Sequence, residues 1–142
     1  TSQVIMADIK VCTISDKVKE VAKKLRFRKD KNNAAIILKI NLKEMVVEVD
    51  EEFEDCEIEE VQEELPEFSP RYILLSYCYN HDDGRVSFPL MFLGYTPGGV
   101  KPEQNMVYAG TRPILVGETQ MNKVYELRDK EEFTEEWVRQ KC

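Results

Sequence analysis

The chain has 142 residues, a length typical of one domain that can bury a hydrophobic core. Its formal net charge of -7 argues against nucleic acid as a partner, because phosphate backbones require a basic protein surface. No apolar run approaches the roughly 20 residues needed to span a bilayer, and no charged-then-apolar start indicates a secretion signal. The cysteines stand singly, which indicates free thiols in a reducing compartment. These features predict an acidic cytoplasmic domain without a membrane or nucleic-acid partner.

The first half of the chain predicts a helix, two strands and a second helix. Ser15 is a candidate N-cap, and apolar residues follow it at helical spacing. Residues 34–40 are predicted to form a buried strand, and residues 44–49 its partner after a turn. A short helix follows and is stopped by Pro66. The segment before this region, residues 1–13, is predicted to be flexible.

A hairpin and a long helix are predicted next. Two aromatic and β-branched runs within residues 70–90 flank Asp83-Gly84, a pair that suits the positive φ angles of a tight turn. This pattern predicts two long antiparallel strands. A helix opens near Pro102, because a proline in the first turn costs no hydrogen bond. Pro113 predicts that this helix stops or kinks near Arg112, since proline removes a donor and disfavours helical angles in the preceding residue.

The last part of the chain predicts one strand and one helix. Residues 123–127 are predicted to form the strand. Thr134 is the expected cap of the helix, whose first turn carries Glu135 and Glu136 at the positive end of the macrodipole. Five strands with interspersed helices predict a single α/β (α+β) domain over residues 1–142. Its expected core is a mixed five-stranded sheet with helices on both faces.

Catalytic and metal-binding patterns are weak. His81, Asp82 and Asp83 suggest a metal site or a general base, but adjacent residues at a hairpin tip point in different directions. Gly98-Gly99 lacks the spacing of a phosphate-binding loop, and no serine or cysteine stands in a recognised nucleophile motif. The sequence therefore predicts no enzymatic activity, no metal and no cofactor. An acidic enzyme that uses these three hairpin residues is kept as an alternative.

A set of motifs in fixed order extends from the first helix nearly to the C-terminus. They are Phe27-Arg28-Lys29 with Asn32-Asn33-Ala34-Ala35-Ile36, Glu64-Leu65-Pro66-Glu67 with Pro70-Arg71-Tyr72, His81-Asp82-Asp83-Gly84-Arg85-Val86-Ser87, Lys101-Pro102-Glu103-Gln104, Met106 with Tyr108-Ala109-Gly110, and Thr134-Glu135-Glu136-Trp137. In these motifs the chain resembles the glia maturation factors. That group is a branch of the actin-depolymerising-factor (ADF) homology family, which includes cofilin.

The resemblance implies both a fold and a function. The fold is a single ADF-homology domain with a central mixed sheet between helices. The implied function is to bind the actin-related protein 2/3 complex, to inhibit its nucleation of branches and to detach daughter filaments from branched actin. Such proteins act as monomers and without hydrolysing nucleotide. The expected location is the cytoplasmic actin cytoskeleton, at the cell cortex or leading edge, with the nucleus as a second compartment.

The resemblance also implies which residues bind the partner, through a long helix that inserts into a groove of an actin-like subunit. The implied residues are Lys101, Glu103, Asn105 and Met106, with the basic cluster Arg26, Arg28 and Lys29.

The charges at the start of the long helix predict which partner is accepted. Cofilin-like proteins typically carry lysines where this chain has Glu103 and Asn105. Because like charges at an interface are costly, the helix is predicted to reject actin while Met106 remains an apolar anchor. Tyr108 is assigned to the core. Cofilin-like binding and severing of actin itself is the alternative.

A second surface is predicted away from the long helix. Its residues are Asp82, Asp83 and Arg85 at the hairpin tip, and Glu135, Glu136 and Arg139 in the last helix. These charges have no obvious partner within the sequence, and a plain solvated surface is the competing interpretation. Ser2 is a candidate phosphorylation site by analogy with the family.

Overall fold

The computed structural model describes residues 12–28, 30–121 and 123–142. The strands are β1 (Thr13–Ile14), β2 (Ala34–Asn41), β3 (Val46–Glu54), β4 (Arg71–Ser76), β5 (Tyr79–Asn80), β6 (Val86–Ser87), β7 (Leu90–Tyr95) and β8 (Lys123–Leu127). The helices are α1 (Asp16–Arg26), α2 (Ile58–Glu64), α3 (Pro102–Thr119) and α4 (Glu135–Lys141), with a 3-10 turn at Lys130–Glu132. No helix among the described residues is long and apolar enough to cross a membrane.

Within the described part of the chain, six strands form one mixed sheet in the order β1-β3-β2-β4-β7-β8. The four central strands pair antiparallel, and β1 and β8 join the two edges in parallel. The predicted mixed sheet between helices is therefore confirmed. The additional strand is the two-residue β1, where Thr13 pairs with Val46. The end of the segment predicted to be flexible is thus part of the sheet, and Ser2 lies outside the described residues.

The two faces of the sheet carry separate hydrophobic cores. Side chains alternate along β4, so Tyr72 and Leu74 pack with α1 and α3 on one face. Ile73 and Leu75 pack with α2 and α4 on the other. This alternation places each helix on its face of the sheet, because each helix buries its own apolar stripe.

The predicted hairpin is divided into two parts. The pair β4–β7 is long and regular, whereas β5 and β6 form a separate two-stranded ladder at the tip. Pro89 accounts for the interruption, since it has no N–H to donate to a ladder and contributes only its carbonyl, to the Tyr77 N–H at 3.2 Å. At the tip, Gly84 has a φ of 92°, as the predicted turn requires.

The long helix α3 continues past Pro113 and ends at Thr119, so the prediction that it stops near Arg112 is wrong. Pro113 lies on the exposed side of the helix, where water can hydrate the carbonyl that proline leaves without a donor. On the opposite side, Leu115 and Thr119 are buried, and Leu115 is part of the core cluster that the sheet, α1 and α3 share. Tertiary packing therefore outweighs the local effect of the proline.

Strand register determines which loops share an end of the sheet. Arg71 lies opposite Tyr95, and Tyr95 lies opposite Leu127. As a result, the β2–β3 turn, the α2–β4 loop and the β7–α3 loop all lie at one end, together with the first turn of α3. The β5–β6 hairpin and the connection from α3 to β8 lie at the other end. We call these the α3-start end and the hairpin end.

Candidate partner-binding site

The residues predicted at the start of the long helix form one surface, which we call the α3-start surface: Lys101, Glu103, Asn105 and Met106. Lys101 is the N-cap of α3 and has an extended backbone. Pro102 occupies the first turn, where a proline is well accommodated. Lys101 and Glu103 are exposed, and Met106 has 64% of its surface accessible. An apolar side chain this exposed on a rigid helix is available for contact with another molecule.

Tyr108 fastens the start of α3 to the sheet. Its hydroxyl accepts the Ile40 N–H at 2.9 Å, and its carbonyl accepts the Tyr72 hydroxyl at 2.5 Å. The rings of Tyr72 and Tyr108 are 5.2 Å apart. Burial raises the pKa of Tyr108, so the hydroxyl remains neutral. The assignment of Tyr108 to the core is confirmed, and the neighbouring Met106 is held in a defined position.

The Asn105 side chain is less exposed than those of Lys101, Glu103 and Met106. Its Oδ1 atom is buried and has no hydrogen-bond partner among the described residues. The residue lines a cavity of about 220 Å³ under the helix, together with Arg71 and Arg112. Of the two positions Glu103 and Asn105, only Glu103 is therefore exposed, whereas Asn105 is partly buried.

The basic cluster is engaged within the fold. The Arg26 guanidinium donates to the Thr119 carbonyl at 3.0 Å, at the C-terminus of α3. Arg28 donates to the Asn32 carbonyl at 2.8 Å and to the Asn32 side chain, and its own side chain is only 10% exposed. Lys29 lies outside the described residues. Because Met106 and Thr119 are separated by roughly 20 Å of helix, the structure does not bring Arg26 and Arg28 to the α3-start surface.

We expect Arg26→Ala to lower the free energy of unfolding by about 1–2 kcal/mol, because it removes a charged donor from an open helix C-terminus. Denaturant unfolding measures this change. Lys24→Ala is the matched control, since Lys24 is an exposed partner of Glu20 at helical spacing and contributes only about 0.5 kcal/mol or less. Equal losses in the two variants would contradict a capping role for Arg26.

The charges at the hairpin tip pair with each other. The Arg85 Nε donates to the Asp83 carboxylate at 2.7 Å, and both side chains are exposed. The backbone hydrogen bond from Arg85 is the main cause that lowers the pKa of Asp83. Asp82 is exposed as well. The expectation that these charges have no partner within the chain is therefore wrong for Asp83 and Arg85.

Two aromatic residues link the base of the hairpin to the last helix. The Tyr77 hydroxyl donates to Glu135 at 3.2 Å, and the Arg139 guanidinium lies 6.0 Å from the centre of the Tyr79 ring. Burial, followed by the nearby Glu135 carboxylate, raises the pKa of Tyr77 to about 12. The predicted tip and helix residues thus lie at the same end of the sheet. We call them the hairpin-tip surface: Asp82, Asp83, Arg85, Glu135, Glu136 and Arg139.

His81 has structural neighbours within the hairpin. Its Nε2 atom lies 2.9 Å from the Ser87 hydroxyl, and its ring packs edge-on against Tyr79 at 4.6 Å. Among the described residues, no group of three or more histidine, cysteine or acidic side chains is arranged to hold a metal ion. The geometry gives His81 a role in stabilising the tip.

An apolar groove beside the α3-start surface was missed by the sequence analysis. Leu42 and Phe68 are 43% and 70% exposed, and both line a groove of about 920 Å³. Met45 and Val107 complete its apolar wall. These residues come from the β2–β3 turn, the α2–β4 loop and α3, so no single periodic pattern identifies them. The only signal in the sequence is an aromatic residue, Phe68, in a polar loop between two prolines.

A family pattern and individual relatives point to the same group of known proteins. The sequence pattern of the family described as cofilin/tropomyosin-type actin-binding protein matches residues 11–142. Human glia maturation factor beta is 50% identical over 131 residues, which cover 92% of each chain. The glia maturation factor of Drosophila melanogaster is 43% identical over 136 residues, or 96% of this chain and 99% of the relative.

A solved structure agrees with these sequence matches. The solution structure of glia maturation factor from Caenorhabditis elegans superposes with a TM-score of 0.82 at 42% identity. The superposition covers 94% of this chain and 97% of that one. The sequence pattern, the identities and the fold all agree over most of the length. The chain belongs to the cofilin/tropomyosin-type actin-binding family and, within it, to the glia maturation factors.

Proposed function

We propose that the chain binds the actin-related protein 2/3 complex through its α3-start surface, inhibits branched nucleation and promotes debranching. The observation that carries this proposal is the exposed Met106, which stands on a helix start fixed to the sheet beside the acidic Glu103. Met106 offers an apolar contact and Glu103 a negative charge beside it. This combination suits an actin-like subunit whose surface is less acidic than that of actin at this contact. Membership of the glia maturation factors supports the same partner, and we propose that the protein acts at branched actin networks in the cytoplasm.

Binding to actin itself is the second candidate, because the family is described as actin-binding. Glu103 argues against it, since a carboxylate facing acidic actin adds repulsion at the interface. The two candidates are separated by one pair of measurements. The immobilised protein is tested for capture of the purified actin-related protein 2/3 complex, and the free protein is sedimented with pure actin filaments. Capture of the complex without filament pelleting supports the proposal, and strong pelleting without capture would refute it.

The hairpin-tip surface is proposed to act in debranching rather than in the first binding step. It lies at the opposite end of the sheet from Met106, so it is placed to touch a second subunit at a branch. Single exposed charges contribute about 1 kcal/mol or less, so several are changed together. We expect the combined alanine variant of Asp82, Asp83, Glu135 and Glu136 to slow debranching more than it weakens binding to the free complex.

Branch lifetimes at saturating protein, followed by fluorescence microscopy, measure this effect. A matched control removes four exposed carboxylates outside both surfaces: Glu20, Glu52, Glu63 and Glu118. This control keeps the same change in net charge and should leave branch lifetimes as short as with the wild-type protein. Lifetimes that are equally short with the hairpin-tip variant would leave no role for this surface.

A further inference from the structure

The apolar groove beside the α3-start surface is built from three separate loops at the same end of the sheet. Leu42 comes from the β2–β3 turn, Phe68 from the α2–β4 loop and Gly99 from the β7–α3 loop. Single exposed apolar residues are common on protein surfaces. Here, however, two of them line one concave site, and the site is adjacent to a third, Met106. A cluster of this kind is the usual centre of a protein interface.

The Phe68 ring has a defined support. Gly99 adopts a φ of +83°, and a Cβ atom built at Gly99 would lie 3.5 Å from the Phe68 Cδ1 atom. The ring therefore lies beside Gly99 of the β7–α3 loop, at the distance at which a side chain on Gly99 would touch it. A supported aromatic side chain loses little conformational entropy when it is covered by a partner, which favours its use as an anchor.

The groove is continuous with the α3-start surface. Lys101 and Glu103, both part of that surface, line its rim, and Val107 follows Met106 in the helix. The rim carries one positive and one negative side chain, so it offers no net attraction to an anion or a cation. An apolar centre with a balanced polar rim fits an apolar side chain on a protein surface.

We propose that Phe68 and Leu42 form a second apolar anchor of the same interface as Met106. The groove receives an apolar side chain of the actin-like subunit that α3 contacts. This inference rests on the proposed function, because it assigns the groove to the same partner. It adds two loop residues to the interface that Met106 and the start of α3 form.

The test is the dissociation constant for the actin-related protein 2/3 complex, measured with Phe68→Ala. We expect binding about tenfold weaker than wild type, the effect typical of a central aromatic contact. Phe27→Ala is the matched control, because Phe27 is 67% exposed and follows α1 at the hairpin end. It should change the dissociation constant less than about twofold. Denaturant unfolding curves of both variants check that each variant keeps the fold.

The remaining outcomes are decisive. If wild type binds the complex and both phenylalanine variants bind it as tightly as wild type does, this inference is wrong while the proposed function stands. If wild type does not bind the complex, both fail. Analytical ultracentrifugation of wild type and Phe68→Ala tests a second copy as the occupant. Self-association that disappears with Phe68→Ala would assign the groove to a dimer and overturn the proposal.

Discussion

Met106→Glu is expected to weaken binding to the actin-related protein 2/3 complex by about a hundredfold without loss of the fold. The side chain is exposed in the free protein, so the substitution costs little stability there. In the complex, a carboxylate buried against an apolar surface would lose its hydration without gaining a partner. A penalty of about 3 kcal/mol corresponds to the expected loss of affinity.

The measurement is the dissociation constant by a fluorescence binding assay, with Met106→Leu as the conservative variant. Leucine keeps the apolar anchor and should stay close to wild type. Val124→Glu adds the same charge at an exposed position on the edge strand β8 and should leave binding unchanged. A Met106→Glu protein that binds as tightly as the Val124→Glu protein would show that α3 does not carry the contact.

Tyr108→Ala is expected to produce the largest loss of stability, about 3–5 kcal/mol, because it removes a buried ring that packs on Tyr72. Tyr108→Phe separates the hydroxyl from the ring. It leaves the Ile40 N–H without its acceptor inside the protein, at a cost of about 1–3 kcal/mol.

Denaturant unfolding of the two Tyr108 variants measures both effects. Tyr79→Phe serves as the control, since Tyr79 is only half-buried at the hairpin and its loss of a hydroxyl should cost about 0.5 kcal/mol or less. If Tyr108→Phe is as stable as wild type, the hydroxyl does not fasten α3 to the sheet. The position of Met106 would then depend on apolar packing alone.

Local patterns were sufficient for most of the fold. Ser15 and Thr134 cap their helices as predicted, through hydrogen bonds from the backbone three residues later. The helix beyond Pro113 was not predictable in this way. Beyond the proline, Thr119 is buried, and Leu115 is buried in a core cluster with residues of β2 and β4, which are distant in sequence. Local rules describe the cost of the proline but not the packing that exceeds it.

The candidate site was predicted only where its chemistry is local. The sequence predicted that Met106 is available for contact and that Tyr108 is buried. The two residues differ by about half a turn of helix, so they lie on opposite sides of it. The engagement of Arg26 depends on Thr119, which lies 93 positions away. The inward direction of Asn105 likewise depends on the sheet beneath α3. Contacts of this separation carry no periodic signal, so the sequence does not show that Arg26 is engaged within the fold or that the Asn105 side chain is partly buried.

The length of α3 has a thermodynamic consequence. Eighteen helical residues extend over roughly 27 Å, and the helix connects the α3-start end to the hairpin end. Substitutions at the two ends are therefore too far apart to share neighbours within this protein. Their effects on binding free energy should add, as they do for independent sites. A departure from additivity in a double variant would then measure coupling that is transmitted through the partner, between the places where the two ends of this domain touch it.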